Sequence, residues 1–370
     1  MKIAEVVSYL EHFAPPDLQE SYDNAGLLTG NAEWECSGVI VSLDTTEEVI
    51  NEAIAKGCNL VVAHHPIIFS GLKRLNGKSY IEKTVIKSIK HDVAIYAMHT
   101  NLDNVKAGVN ARMAERVGLL NCSILSPKPG MLRKLSVYAP ADNAQAVRDA
   151  IFLAGGGHIG NYSACSFNIP GTGTFNGGKD THPFVGIPGK MHEEPEVKIE
   201  VTFPSWLEAN ILKEMFKVHP YEEVAYDIVS INNKYQDIGA GMTGMLPEAL
   251  TEIDFLDLVT AAFKLKAVKH SPLLGKPIKK IALCGGAGSF LISNALHSGA
   301  DVYITSDLKY HEYFDANSSI LILDIGHYES EQFTIDLLYD ILREKFPTFA
   351  IQKTGTLTNP VNYHFSRGSV

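Results

Sequence analysis

The sequence predicts an α/β protein: mainly parallel sheets flanked by helices, interrupted by a smaller inserted α+β unit. Three observations carry this reading. Short, unbroken apolar runs alternate with helical patterns at both ends of the chain, as strands covered on both faces require. A breaker cluster, Ser126-Pro127-Lys128-Pro129-Gly130, changes the texture midway. Between about 130 and 232 the pattern becomes two β-α-β units, the rhythm of a ferredoxin-like sandwich.

The opening MKIAEVVSYLEHF has apolar residues at helical spacing, and Glu5 and Glu11 interrupt any signal-like apolar core. Residues 39–43 read as a strand. A helix start follows at Asp44-Thr45-Thr46-Glu47, with capping boxes available from Thr45 and Glu48 or from Asp44 and Glu47. That helix runs over 47–56 and stops at Gly57. A strand at 59–63, a helix at 79–91 and a strand at 93–98 complete the first segment. The insertion offers a strand at 134–139, a helix at 143–154, the glycine triplet Gly155–Gly157 and then the segment 162–168. Its Gly- and Pro-rich 170–188 segment suits a loop or an extended hairpin, followed by strand 197–203, helix 206–217 and strand 225–231. The α/β rhythm then resumes with helix 255–263, strand 280–284, helix 290–298, strand 301–305, helix 310–317 and strand 320–324. A single amphipathic helix over 329–345 closes it, with Phe333, Leu337, Leu338 and Ile341 on one stripe. The expected domains are therefore 1–129 with 233–370, and 130–232.

Composition excludes whole classes. Of the 370 residues 45 % are hydrophobic and 20 % charged, which is neither a disordered tail, a collagen nor a coiled coil. Lys plus Arg number 32 against 42 Asp plus Glu, a formal charge of −10 that opposes general nucleic-acid binding. Five scattered cysteines, none in a CxxC pair, suit free thiols in a reducing, cytoplasmic setting. No apolar run reaches the roughly 18 residues a spanning helix needs, so no membrane association is expected.

The chemistry concentrates at strand ends. His64-His65-Pro66 follows the strand 59–63; His99 follows 93–98, with Asp103 four residues on. Asp307 and His311 follow 301–305, and His327 and Glu331 follow 320–324. Taken singly, each has a plain structural use: a turn, a solvated helix face, a cap. Four strand ends bearing imidazole or carboxylate, at the edge where parallel sheets bind ligands, point instead to a metal site. Imidazole and carboxylate without thiolate suit Zn, Mn, Fe, Co or Ni. Five strong donors (His64, His65, Asp103, His327 and Glu331) are too many for one open tetrahedral ion. They suit two cations sharing a carboxylate, an arrangement that activates water for hydrolysis. His99, Asp307 and His311 remain as helpers, with His99 and His311 the candidate proton carriers. Cys284-Gly285-Gly286-Ala287-Gly288-Ser289 lies between a strand and a helix. It reads equally as a tight turn or as an anion loop built on Gly285, Gly286, Gly288 and Ser289.

These motifs, with Tyr22-Asp23-Asn24-Ala25-Gly26-Leu27, resemble the signatures of the GTP cyclohydrolase 1 type 2/NIF-like dinuclear-metal family. The resemblance extends through the insertion. Gly155-Gly156-Gly157-His158-Ile159-Gly160-Asn161-Tyr162, Gly171-Thr172-Gly173-Thr174-Phe175 and His219-Pro220-Tyr221-Glu222-Glu223 are similar to the PII/CutA-like insert of the long bacterial members. It implies a toroidal homohexamer with two divalent cations per subunit, held by His64, His65, Asp103, His327 and a bridging Glu331. The activity it implies is hydrolytic, of GTP cyclohydrolase type, opening a purine ring with a nucleotide as substrate. The alternative is a non-catalytic metal-binding regulator whose insert senses a small molecule or a partner.

Overall fold

The computed structural model describes residues 1–364. The chain forms two compact units, one from Met1–Pro127 together with the chain from Gln236 onward, the other from Lys128–Tyr235.

The first unit holds two sheets. One has the strand order Gly26–Thr29, Ala94–Ala97, Leu60–Ala63, Val39–Ser42, Ile351–Lys353. Its last four strands run parallel and Gly26–Thr29 runs antiparallel at the edge. The three central strands are buried at every position, as their unbroken apolar and β-branched runs require. Helices Ile3–Phe13, Glu47–Ala55 and Tyr80–Lys90 belong to this half. Thr46 and Ser79 cap the latter two by accepting the amides of Val49 and Glu82. Neither capping box read from the sequence forms, because Thr46 is the cap and Asp44 lies outside the helix.

The second sheet has the order Lys269–His270, Leu321–Asp324, Val302–Ser306, Ile278–Ala287, Gly239–Leu250, Leu120–Pro127. Its middle three strands are parallel, while the others are antiparallel. Its core is built from Phe255, Val259, Phe263, Ile281, Leu283, Ile304, Leu321 and Leu323. The strand ends expected at one sheet edge are therefore divided, two on each sheet. Apolar periodicity reveals that a strand exists but not which strand it pairs with.

The expected single helix over 329–345 is two helices, His327–Glu331 and Thr334–Lys345. At the break, Gln332 donates its side-chain amide to Phe263 O at 2.9 Å, and Phe333 packs into the core 6.2 Å from Phe263. Residues expected as helix 310–317 form the 3₁₀ segment Tyr310–Ala316, ended by Asn317 at φ +47°.

The second unit runs strand Leu132–Pro140, helix Ala144–Leu153, strands Phe167–Asn176 and Met191–Pro204, helix Glu208–Val218, strand Tyr226–Ile231. All pairings are antiparallel, and numbering the strands 1 to 4 along the chain gives the order 2-3-1-4, the ferredoxin-like arrangement. Leu135, Val137, Val147, Ile151, Ile199, Val201, Phe203, Ile211 and Met215 give it a core of its own. The Gly- and Pro-rich stretch begins as the strand Phe167–Asn176 and returns as Met191–Pro204, so it is an extended hairpin.

Candidate metal centre

Each chemical side chain sits just beyond a strand of the first unit. His64 leaves Leu60–Ala63 with its amide bonded to Leu43 O at 3.1 Å, and His65 donates to the same carbonyl at 2.9 Å. His99 follows Ala94–Ala97, and the short helix Thr100–Asn104 presents Asp103. From the other sheet come Asp307, after Val302–Ser306, and the helix His327–Glu331, after Leu321–Asp324. His327 and Glu331 lie one turn apart on one helix face. Asp307 adopts a left-handed backbone, φ +57°, which Asp and Asn tolerate better than other non-glycine residues.

The donors meet in two groups that share one carboxylate. Glu331 Oε2 lies 2.9 Å from His65 Nε2 and 3.1 Å from His327 Nε2. Its Oε1 faces His64 Nε2 at 3.8 Å, and His64 Nε2 is 3.7 Å from Asp103 Oδ1. His64, Asp103 and Glu331 thus form one potential metal-holding group; His65, His327 and Glu331 form another, and His99 can join His64 and His65.

Every imidazole is oriented from behind. Nδ1 of His64 bonds to Met98 O at 2.7 Å, and Nδ1 of His65 to Asp44 at 2.7 Å. Nδ1 of His99 bonds to Asp23 at 2.7 Å, and Nδ1 of His327 to Asp307 at 2.6 Å. Carbonyls and carboxylates behind a histidine fix the tautomer and leave Nε2 facing inward, the pattern found around metal-ligating histidines.

The residues present fit a cation. His64 Nε2 and Asp103 Oδ1 are both buried without a hydrogen-bond partner. Buried polar atoms left so are costly. Two ligands of one ion, each about 2.0–2.2 Å from it, stand about 3–4 Å apart, so the 3.7 Å separation suits a shared ion.

The electrostatics agree. Burial opposes a charged His65, yet its bonds to Asp44 and Glu331 outweigh this and push it up to about 10. His327 rises to about 9, burial again losing to Glu331 and Asp307. Burial pushes Asp103 up to about 8, and the neighbouring Glu331 charge adds to this. Burial would raise Glu331 too, but His327, His64 and His65 hold it well below the usual carboxylate range. Without a cation, protons provide the positive charge that these carboxylates demand.

The five donors and His99 are brought together; His311 is not. It projects from the exposed 3₁₀ turn, its ring 5.1 Å from Tyr310 and 6.2 Å from Phe314. In the expected anion loop, the Gly285 amide donates to Asn110 Oδ1 and that of Gly286 to Ser330 Oγ, both at 3.0 Å. Gly286, at φ +63°, could not carry a Cβ without striking Glu331 Oε1. Gly288 lies against the Tyr303 hydroxyl, and Ser289 begins the 3₁₀ turn Ser289–Leu291. Sequence reasoning gave no role to Asp23, which precedes the first strand and carries no strand-end signal, and read Asp44 as a helix start; for Asp44 the available signal was a carboxylate two residues past a strand, close to the placement it recognised for Asp307. Around the donors lies a cavity of about 1150 Å³. No helix among the described residues is long and apolar enough to cross a membrane.

The Duf34/NIF3 (NGG1p interacting factor 3) family profile matches residues 1–360. The chain is 40 % identical over 332 residues to a Halalkalibacterium halodurans protein named GTP cyclohydrolase 1 type 2 homolog, covering 88 % of this chain and 89 % of that one. A Bacillus subtilis protein of the same name is 37 % identical over 326 residues, covering 88 % and 87 %. Among solved structures, a Bacillus cereus protein related to NIF3 superposes with a TM-score of 0.86 at 36 % identity, covering 98 % of this chain and 99 % of that one. A profile match along almost the whole length, with these relatives, means that the chain belongs to the Duf34/NIF3 family.

Proposed function

We propose that this centre would hold two divalent cations, with Glu331 common to both groups of donors, and that it serves a metal-dependent hydrolase. The observation that carries the reading is the placement of the Glu331 carboxylate, one oxygen toward His64 and the other toward His65 and His327. His64 and Asp103 would hold one cation, His65 and His327 the other; the nitrogen and oxygen donors suit Zn, Mn, Fe, Co or Ni. A bound pair supplies Lewis acidity and activated water at neutral pH. The chain's own part is to fix the donors and to move protons. Asp44 and Asp307 hold two of the imidazoles in place, and His99, backed by Asp23, is the residue free to carry a proton at the cavity wall. The relatives' name, GTP cyclohydrolase 1 type 2 homolog, supports ring opening of a purine as the reaction to test. Cation-loaded protein should then release formate from a purine compound, and Glu331→Gln should abolish the release; release unchanged in that variant contradicts the mechanism. The family resemblance also supports a ring-shaped homohexamer, and the exposed Tyr310 and Phe314, at 73 % and 66 %, supply apolar surface for it. Light scattering on the purified protein reads the assembly directly.

A further inference from the structure

The cavity carries features that cation binding leaves unused. Tyr22 and Phe69 line it. They are 63 % and 49 % exposed, with ring centroids 6.4 Å apart. Phe69 also stands edge-on to His99 at 6.1 Å, beside the donor cluster. The backbone beneath both rings is tied down. Asp23, next to Tyr22, accepts from the Thr100 amide at 2.9 Å as well as bonding His99, and Asn24 donates its side-chain amide to Ile68 O at 2.5 Å. Aromatic rings held in place beside a reactive centre, here with their planes tilted by 48°, offer faces and edges against which a planar ring can pack.

Charge narrows what stacks there. Seven carboxylates line the cavity against one ammonium, Lys269, whose Nζ is already paired with Asp324. Even two divalent cations leave this wall net negative. A polyphosphate would enter against that field and find no unpaired basic side chain among the described lining residues, whereas stacking is indifferent to it. On the reading that the centre holds cations and acts on a ring, we propose that the cavity selects an uncharged planar heteroaromatic compound, of base or nucleoside type. The ring lies against Tyr22 and Phe69, and the corresponding polyphosphate is disfavoured.

Calorimetric titration of the zinc-loaded, full-length protein with guanosine and with GTP tests this, with cation content measured on the same samples. Guanosine should bind more tightly than GTP. Tyr22→Ala and Phe69→Ala should each weaken guanosine about tenfold with cation content unchanged, and Tyr22→Phe should keep the affinity because its ring still stacks. Tighter binding of GTP, indifferent to both alanine variants, overturns the inference. So does a protein that keeps its cations and fails to bind guanosine, which leaves the metal reading intact. A protein that takes up no cation overturns both.

Discussion

Asp44 and Asp307 stand in the same relation to two different sheets: each lies just past a strand and accepts a hydrogen bond from the back of an inward-facing imidazole. Substituting either by asparagine leaves the shape and changes the basicity of the ligand in front, and such partners typically matter 10–100-fold for metal affinity. Asp44→Asn and Asp307→Asn should each weaken cation binding by about that factor in a chelator competition; unchanged affinity contradicts the assigned role. Thr358 donates to the other Asp44 oxygen at 2.6 Å, so Thr358→Val should act in the same direction and more weakly. Gly286→Ala tests the packing against Glu331. A methyl group there meets the carboxylate and also a left-handed backbone, so cation content should fall while Gly288→Ala, directed at Tyr303, disturbs the core instead. The donor residues could be read from the sequence because imidazole or carboxylate recurs after four separate strands, although each alone has a plain structural use. Of the residues behind them Asp307 was legible as a helper, but Asp44 was hidden, because an acid at a strand end followed by a helix looks the same whether it caps that helix or faces an imidazole.

Elements were legible where one pattern dominated and illegible where two demands met. Buried parallel strands such as Leu60–Ala63 announce themselves as apolar runs. Gly239–Leu250 does not, because glycines break its pattern; Gly241 takes φ +65° against Leu283 O. The break after Glu331 was also hidden: the apolar stripe continues through Phe333, but Glu331 must face the donors while Phe333 reaches the core. Residues 354–356, just past the strand Ile351–Lys353, are tied down mainly by one side chain. Glu52 accepts from the Thr354 and Thr356 hydroxyls at 2.5 and 2.9 Å and from the Gly355 amide at 2.8 Å. Burial would raise Glu52, but these bonds and Lys56 win and hold it down to about 2. A carboxylate lowered in the folded state stabilises fully above its ordinary range near 4.5 and loses that contribution as pH falls toward 2. Hydrogen exchange at the amides of 354–356 should therefore be well protected at pH 6 and markedly less so near pH 3, after correction for intrinsic rates. Glu52→Gln should show the weaker protection at both; a protection that ignores pH in the natural sequence contradicts the tether.

At the scale of the molecule, two units have separate cores, and the donors all belong to the first. The breaker cluster Ser126–Gly130 straddles the point where the chain leaves that unit, since the Pro and Gly residues that end one pattern also permit the crossing. What no local pattern could reveal is that two sheets, rather than one, supply the donors; that follows only from long-range pairing. Phe203 is buried in the core of the second unit. Phe203→Ala should destabilise that unit by about 3–5 kcal/mol, seen as an earlier calorimetric transition, while cation content at room temperature stays the same; a parallel loss of cations contradicts the separation. The central claim is that Glu331 joins two groups of donors around two ions. Anomalous scattering from crystals of the protein grown with zinc or manganese tests it most directly. Two peaks about 3.5–4 Å apart, flanking the Glu331 carboxylate, are the expected result, and a single peak, or none within reach of His64 and His327, contradicts it.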